Sequence, residues 1–214
     1  MENTKPTEQQ VEQSEDILAK ARANRKSIMW CFIAAFVVII GAMVWVVVAQ
    51  NGSRKADELV AKADLAQNDS TALSLYKEAA QAGHKSGNRA AAEVAIRLYR
   101  QGEYEQAIKY LDDCSLDDAI AAAGVYTLKG DCYVNLDQLD KALDCYRKAV
   151  SKADGNPEIV PLVLVKEANI YRAQEKYAEE AKAYKTILDD YPTYAQSMRN
   201  DLRKYYERAA AEAK

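Results

Sequence analysis

The stretch GDCYVNLDQLDKALDCYRKAV, residues 130–150, decides between two interpretations of the chain. Two cysteines stand among four aspartates, a composition that would suit a metal or redox site. The same stretch also places small residues, Gly130 and Ala142, about one helical turn before tyrosines. Where two helices approach closely, small residues leave room for the neighbouring backbone and large rings fill the gaps beside them. The stretch therefore predicts one packed helical hairpin.

The pattern around this hairpin recurs along the chain. Related segments are SLYKEAAQAG (74–83), GEYEQAIKYLDDC (102–114) and EKYAEEAKAYKTILDDYP (175–192). Ala72, Ala107 and Ala142 are spaced 35 residues apart, and Glu180 occupies the equivalent place in the last copy. Apolar residues recur every three or four positions, and no stretch alternates as a half-buried strand would. We expect an all-α domain built from repeated pairs of short helices.

A period near 34 residues made of two helices resembles the tetratricopeptide repeat (TPR), and the third copy matches its pattern of small and aromatic residues most closely. The resemblance covers about residues 56–192 and implies a right-handed helical solenoid of about four hairpins. A terminal repeat needs a cap, which we assign to a helix in residues 193–214. Its apolar stripe consists of Tyr194, Met198, Leu202, Tyr205 and Ala209. The repeat-packing positions that the resemblance implies are Ala95, Ala107, Tyr126, Gly130, Tyr133, Ala142, Tyr146, Ala168, Tyr171 and Tyr184.

The N-terminal part of the chain has a different character. Residues 28–49, IMWCFIAAFVVIIGAMVWVVVA, carry no charge, and about 20 apolar residues suffice to cross a bilayer. This run predicts a single transmembrane helix, since it is longer and further from the N-terminus than the apolar part of a signal peptide. Residues 1–27 form a polar tail, and residues 50–55 are either a linker or a continuation of the helix.

Basic residues set the expected orientation of this helix. Four of them precede it closely, at positions 20, 22, 25 and 26, whereas two, Arg54 and Lys55, follow it. Because basic flanks tend to stay in the cytoplasm, we expect the N-terminus to be cytoplasmic and the repeat domain to lie across the membrane.

Composition excludes several classes of function. The 29 basic and 32 acidic residues are evenly spread, so we expect no nucleic-acid partner. His84 is the only histidine, and no catalytic, nucleotide-binding or zinc-binding motif occurs, so we expect no enzyme activity, cofactor or metal. A disulfide between Cys132 and Cys145 is conceivable in an oxidising compartment, but buried thiols are the favoured interpretation.

The TPR resemblance implies that the first helices of the hairpins build a concave groove for an extended peptide or a helix of a partner protein. The groove residues that it implies are Arg89, Tyr99, Arg100, Asp131, Asn135, Asn169 and Arg172. The Lys and Asn pair with which some family members clamp a C-terminal carboxylate is missing, because Ala92, Ile96, Thr127 and Asp131 stand at those places.

The layout as a whole is similar to that of bacterial inner-membrane TPR proteins that accompany the Sec translocon and periplasmic chaperones. It implies a membrane-anchored scaffold, with its TPR domain in the periplasm, that serves protein translocation or chaperone networks. Two alternatives remain open. One is an organelle import receptor with reversed topology, and the other is an assembly factor for a membrane complex.

Overall fold

Every regular element that the computed structural model describes, over residues 25–82, 84–197 and 201–214, is an α-helix. The helices are α1 (Arg25–Asp64), α2 (Asp69–Gln81), α3 (His84–Arg100), α4 (Tyr104–Asp112), α5 (Ala119–Asn135), α6 (Leu139–Lys152), α7 (Ile159–Ala173), α8 (Tyr177–Asp190), α9 (Pro192–Ser197) and α10 (Asp201–Glu212). The predicted all-α fold is confirmed. The chain divides into two compact units, Met1–Asn51 and Gly52–Lys214.

The first unit contains the apolar part of α1. Its large apolar side chains are exposed, including Trp30 and Trp45 at 66% and 72%. The helical segment Met29–Asp64 is long and apolar enough to cross a membrane, by length and composition. Residues 1–24, which belong to the predicted tail, lie outside the described residues. Of the two possibilities for residues 50–55, the structure has the continuous helix.

The second unit begins with the last turns of α1, which act as the first helix of a hairpin. Leu59, Val60 and Ala63 are buried in one core cluster with Tyr76 and Ala79 of α2. The pairs α3–α4, α5–α6 and α7–α8 form the following hairpins, and each second helix also packs on the first helix of the next hairpin. A solenoid of this kind buries apolar surface only by stacking successive hairpins.

The predicted packing positions lie at the contacts between these helices. Most are buried, namely Ala95, Ala107, Gly130, Ala142, Tyr146, Ala168 and Tyr184. The other three, Tyr126, Tyr133 and Tyr171, are half-buried. At Gly130 an added Cβ would overlap Cε1 of the Tyr146 ring, so any larger residue there would force the ring to move.

The turns within three hairpins have the same geometry. Gly102, Asp137 and Glu175 have φ angles of 82°, 57° and 57°, in the left-handed region. In each turn the amide N–H of the following residue donates to the carbonyl five positions earlier, at 2.8–2.9 Å. This Schellman-type ending stops the first helix at an equivalent place in each of the three hairpins. The last residues of the three first helices therefore occupy equivalent positions.

A buried charge marks the end of the array. Glu180 replaces the small residue of the other copies, is fully buried, and accepts a hydrogen bond from Arg208 of α10. The Tyr184 and Tyr205 ring centroids lie 5.6 Å apart in the same region. The predicted capping segment therefore contains α9 and α10, and α10 packs on α8 through an ion pair as well as apolar contacts. Met198 of the predicted stripe lies outside the described residues.

The close approach at Gly130 leads to a stability prediction within one helix. Gly130→Ala should lower the free energy of unfolding by about 1–3 kcal/mol, because its methyl group overlaps the Tyr146 ring. Gly124→Ala, also in α5, meets nothing within 4 Å and should raise it by up to about 1 kcal/mol through helix propensity. Urea unfolding followed by circular dichroism measures both, and equal changes of the same sign would contradict this packing.

Candidate functional site: a groove on the first helices

The candidate site lies along one face of the first helices α3, α5 and α7, here called the groove. On α5 this face carries Gly124, Leu128, Asp131 and Asn135, which are spaced four, three and four residues apart as one helical face requires. All four line pockets in the described part of the chain. The start of α5 is fixed by Asp118, whose side chain accepts a hydrogen bond from the Ala121 N–H at 2.8 Å.

A pocket of about 320 Å³, here called the polar pocket, opens between α5 and α7. Its polar lining residues are Tyr99, Asp131, Asn135, Tyr146, Lys166 and Asn169. Its apolar walls are Val134, Leu139, Ile170 and Ala173. Residues from three successive hairpins therefore converge on one cavity, and its mixture of a few polar groups with apolar walls is typical of binding sites.

A hydrogen-bonded network lies in the polar pocket. The Tyr146 hydroxyl donates to Asp131 Oδ1 at 2.6 Å, and Lys166 Nζ donates to both carboxylate oxygens at 2.8 and 3.0 Å. Burial and then the hydrogen bond to Asp131 raise the pKa of the Tyr146 hydroxyl, which therefore stays a donor. The predicted groove residue Asp131 is thus engaged inside the protein, and Lys166 balances its charge.

Other polar groups of the pocket keep free hydrogen-bonding capacity. Asn135 Nδ2 donates to the Asp131 carbonyl at 2.8 Å and to the Tyr99 hydroxyl at 3.4 Å, which leaves Asn135 Oδ1 open. The Asn169 carboxamide forms no hydrogen bond with any residue that the structure describes. The Tyr99 ring is held edge-on against Tyr104, with centroids 5.5 Å apart.

A second pocket of about 370 Å³, here called the apolar pocket, lies between α3 and α5. Most of its lining is aliphatic, namely Ala92, Ile96, Leu111, Leu116, Val125 and Leu128. Arg89 also lines it and forms an ion pair with Asp64 at 3.6 Å. The groove therefore contains neighbouring pockets of different chemistry.

The predicted groove residues divide between these pockets and the open surface. Tyr99, Asp131, Asn135 and Asn169 meet in the polar pocket, whereas Arg89 lies at the apolar pocket. Arg100 and Arg172 are exposed and line neither of these two pockets of the described chain.

Lys166 was not predicted as a groove residue. Its spacing from Asn169 could have indicated it, because residues 166, 169 and 173 fall on one face of α7. All three line the polar pocket.

The cysteines take no part in the site. All four lie in the described residues and are free thiols, with Cys132 fully buried and Cys145 nearly so. Burial raises the pKa of Cys132 to about 12 and also raises that of Cys145. Since the thiolate is the reactive form, both side chains serve packing.

Comparison with known proteins agrees with the repeat assignment. The family model described as "Tetratricopeptide repeat" matches residues 123–151, which cover most of the α5–α6 hairpin. The predicted resemblance to the tetratricopeptide repeat is therefore confirmed for this hairpin. No curated protein sequence matches the chain significantly.

Two solved structures resemble the chain distantly. "Crystal structure of MamA" has 16% identity and a TM-score of 0.49, covering 67% of this chain and 87% of that one. "Crystal structure of MamA protein" has the same identity and TM-score, covering 77% and 91%. Similarity at this level supports no inference about function.

A buried carboxylate on α7 leads to a prediction of pH dependence. Glu167 is 7% exposed, and burial raises its pKa from 4.5 to about 7 although Arg147 opposes the shift. The folded protein therefore binds this proton more tightly than the unfolded chain does. The free energy of unfolding should fall as pH rises from about 4.5 to about 7, by up to about 3 kcal/mol from this group.

Glu167→Gln should remove this contribution, because the amide does not titrate. The measurement is urea unfolding of both proteins at a series of pH values, in which the difference isolates Glu167 from other groups. A difference that stays constant with pH would show that Glu167 keeps its ordinary pKa.

Proposed function

We propose that this protein is a membrane-anchored scaffold that binds a segment of a partner protein in the groove. The observation that carries the proposal is the pair of neighbouring pockets on the first helices, one with free hydrogen-bonding groups on Asn135 and Asn169 and one lined mostly by aliphatic side chains. TPR domains generally bind protein partners, and recessed surfaces of this kind accommodate a few anchoring side chains.

An extended segment fits the arrangement of the pockets. They contact α5 around residues 121–128 and 131–135, which puts their centres about nine residues, or about 13 Å, apart along the helix. An extended chain of about five residues is long enough to cover this distance.

Anchoring rests on the apolar part of α1. Its exposed Trp, Phe, Ile and Val side chains need an apolar environment, and a bilayer supplies one along the length of such a helix. The basic residues before the helix support a cytoplasmic N-terminus. With the resemblance in layout, this favours a bacterial inner membrane, a periplasmic TPR domain and a partner in protein translocation or chaperone networks.

Photocrosslinking from within the polar pocket tests the binding function. A photoreactive phenylalanine analogue at position 173 should capture a protein segment in cells, since Ala173 lines the pocket, is exposed and supplies none of its polar groups. The same analogue at position 144 is the matched control, because Asp144 is exposed on the second helix α6. Equal capture from both positions, or capture from neither, would contradict groove binding.

Reporter fusions test the anchoring and its direction. Alkaline phosphatase fused after Lys214 should be active in bacterial cells, because that enzyme folds only on the oxidising side of the membrane. Green fluorescent protein exported to the same place by this route should stay dark. An inactive phosphatase fusion together with a fluorescent green fluorescent protein fusion would mean that the C-terminus faces the cytosol. That result would favour an organelle-type receptor with reversed topology.

A further inference from the structure

The charges of the polar pocket cancel. Among its described lining residues the charged side chains are Lys166 and Asp131, which pair at 2.8 Å and are only 33% and 20% exposed. A charged group brought into such a half-buried site loses water and finds no free counter-charge. The pocket therefore disfavours both acidic and basic side chains of a bound peptide.

The free hydrogen-bonding groups of the pocket are of both kinds. Asn135 Oδ1 and Asn169 Oδ1 are acceptors, whereas Asn169 Nδ2 and the Tyr99 hydroxyl hydrogen are donors. A carboxylate offers no hydrogen to the two amide oxygens, and an ammonium group offers no acceptor to the donors. A carboxamide offers both, so it can satisfy groups that would otherwise lose hydrogen bonds to water on binding.

The walls of the pocket favour a side chain with an apolar stem. Val134, Leu139 and Ile170 line it beside the polar groups, and they can cover methylene groups as water is displaced. Glutamine carries one methylene more than asparagine below the same amide. The walls thus favour the longer of the two amide side chains.

We infer that the polar pocket is a specificity pocket for a glutamine side chain of the bound segment, while the apolar pocket takes an aliphatic side chain about five residues away. This inference rests on the proposed peptide-binding function. Arg100 and Arg172 do not alter the preference, because both are exposed outside the lining of the pocket and water screens their charges.

Peptide selection on the full chain in lipid nanodiscs tests the inference. A phage-displayed library of random peptides long enough to span both pockets is first depleted on empty nanodiscs. Selected peptides should be enriched in glutamine at one position, with an aliphatic residue about five positions away. A synthetic peptide of the selected sequence should bind about tenfold more tightly than the same peptide with glutamate in place of glutamine.

Two variants of the charge pair should change the preference in opposite directions. Asp131→Asn leaves Lys166 without its counter-charge, so selection should shift to glutamate or aspartate. Lys166→Met leaves Asp131 alone, so selection should shift to lysine or arginine. Asp144→Asn, outside the groove, is the control and should keep glutamine. Circular dichroism checks that each variant is folded, and either of the two folded variants suffices for the test.

The outcomes separate the inference from the proposed function. The glutamine pocket is overturned if the wild type enriches a charged residue. It is also overturned if the wild type and both charge-pair variants show the same preference. Groove binding stands in either case. Failure to select any peptide that crosslinks to the analogue at position 173 contradicts groove binding, and the inference with it.

Discussion

The contact between Gly130 and the Tyr146 ring is the constraint on which the groove depends. Because Gly130 has no side chain, the ring can lie against α5 within the space that a Cβ would fill. From there the Tyr146 hydroxyl reaches Asp131, which in turn binds Lys166 of the next hairpin. A packing contact inside one repeat thereby fixes polar groups that face the groove. The residues that hold the hairpin closed and those that shape the pocket belong to one connected network.

The ends of the array depart from the repeat pattern for physical reasons. A terminal hairpin has a neighbour on one side only and must cover its other side differently. At the N-terminal end the last turns of α1 supply the first helix, with Leu59 and Val60 in the core. At the C-terminal end Glu180 replaces the usual small residue and pairs with Arg208 of α10. Breaking this buried pair would leave an uncompensated charge, so the pair ties the cap to the last hairpin.

Much of the fold follows from the sequence because the packing residues are periodic. The repeat pattern and the family resemblance that it carries predict Ala107, Gly130 and Ala142 as packing positions, and all three lie buried where helices meet. Four groove residues also converge on one pocket. The pairing of Asp131 with Lys166 was not predictable in this way. The two hairpins are offset by 38 residues, from Ala142 to Glu180, so Lys166 does not stand at the position equivalent to Asp131. Glu180 was recognised as a departure from the pattern, but its partner lies 28 residues further along, outside the repeats.

In the proposed binding, the Tyr146 hydroxyl holds Asp131 in the groove while the Tyr146 ring packs against Gly130, and Tyr146→Phe separates the two roles. The measurement is titration calorimetry of a groove-binding peptide with this variant and the wild type, alongside urea unfolding of both. This division of roles predicts a loss of at most about 1.5 kcal/mol in unfolding free energy and binding weakened about tenfold, because Asp131 loses a donor. Unchanged binding by a folded variant would contradict it.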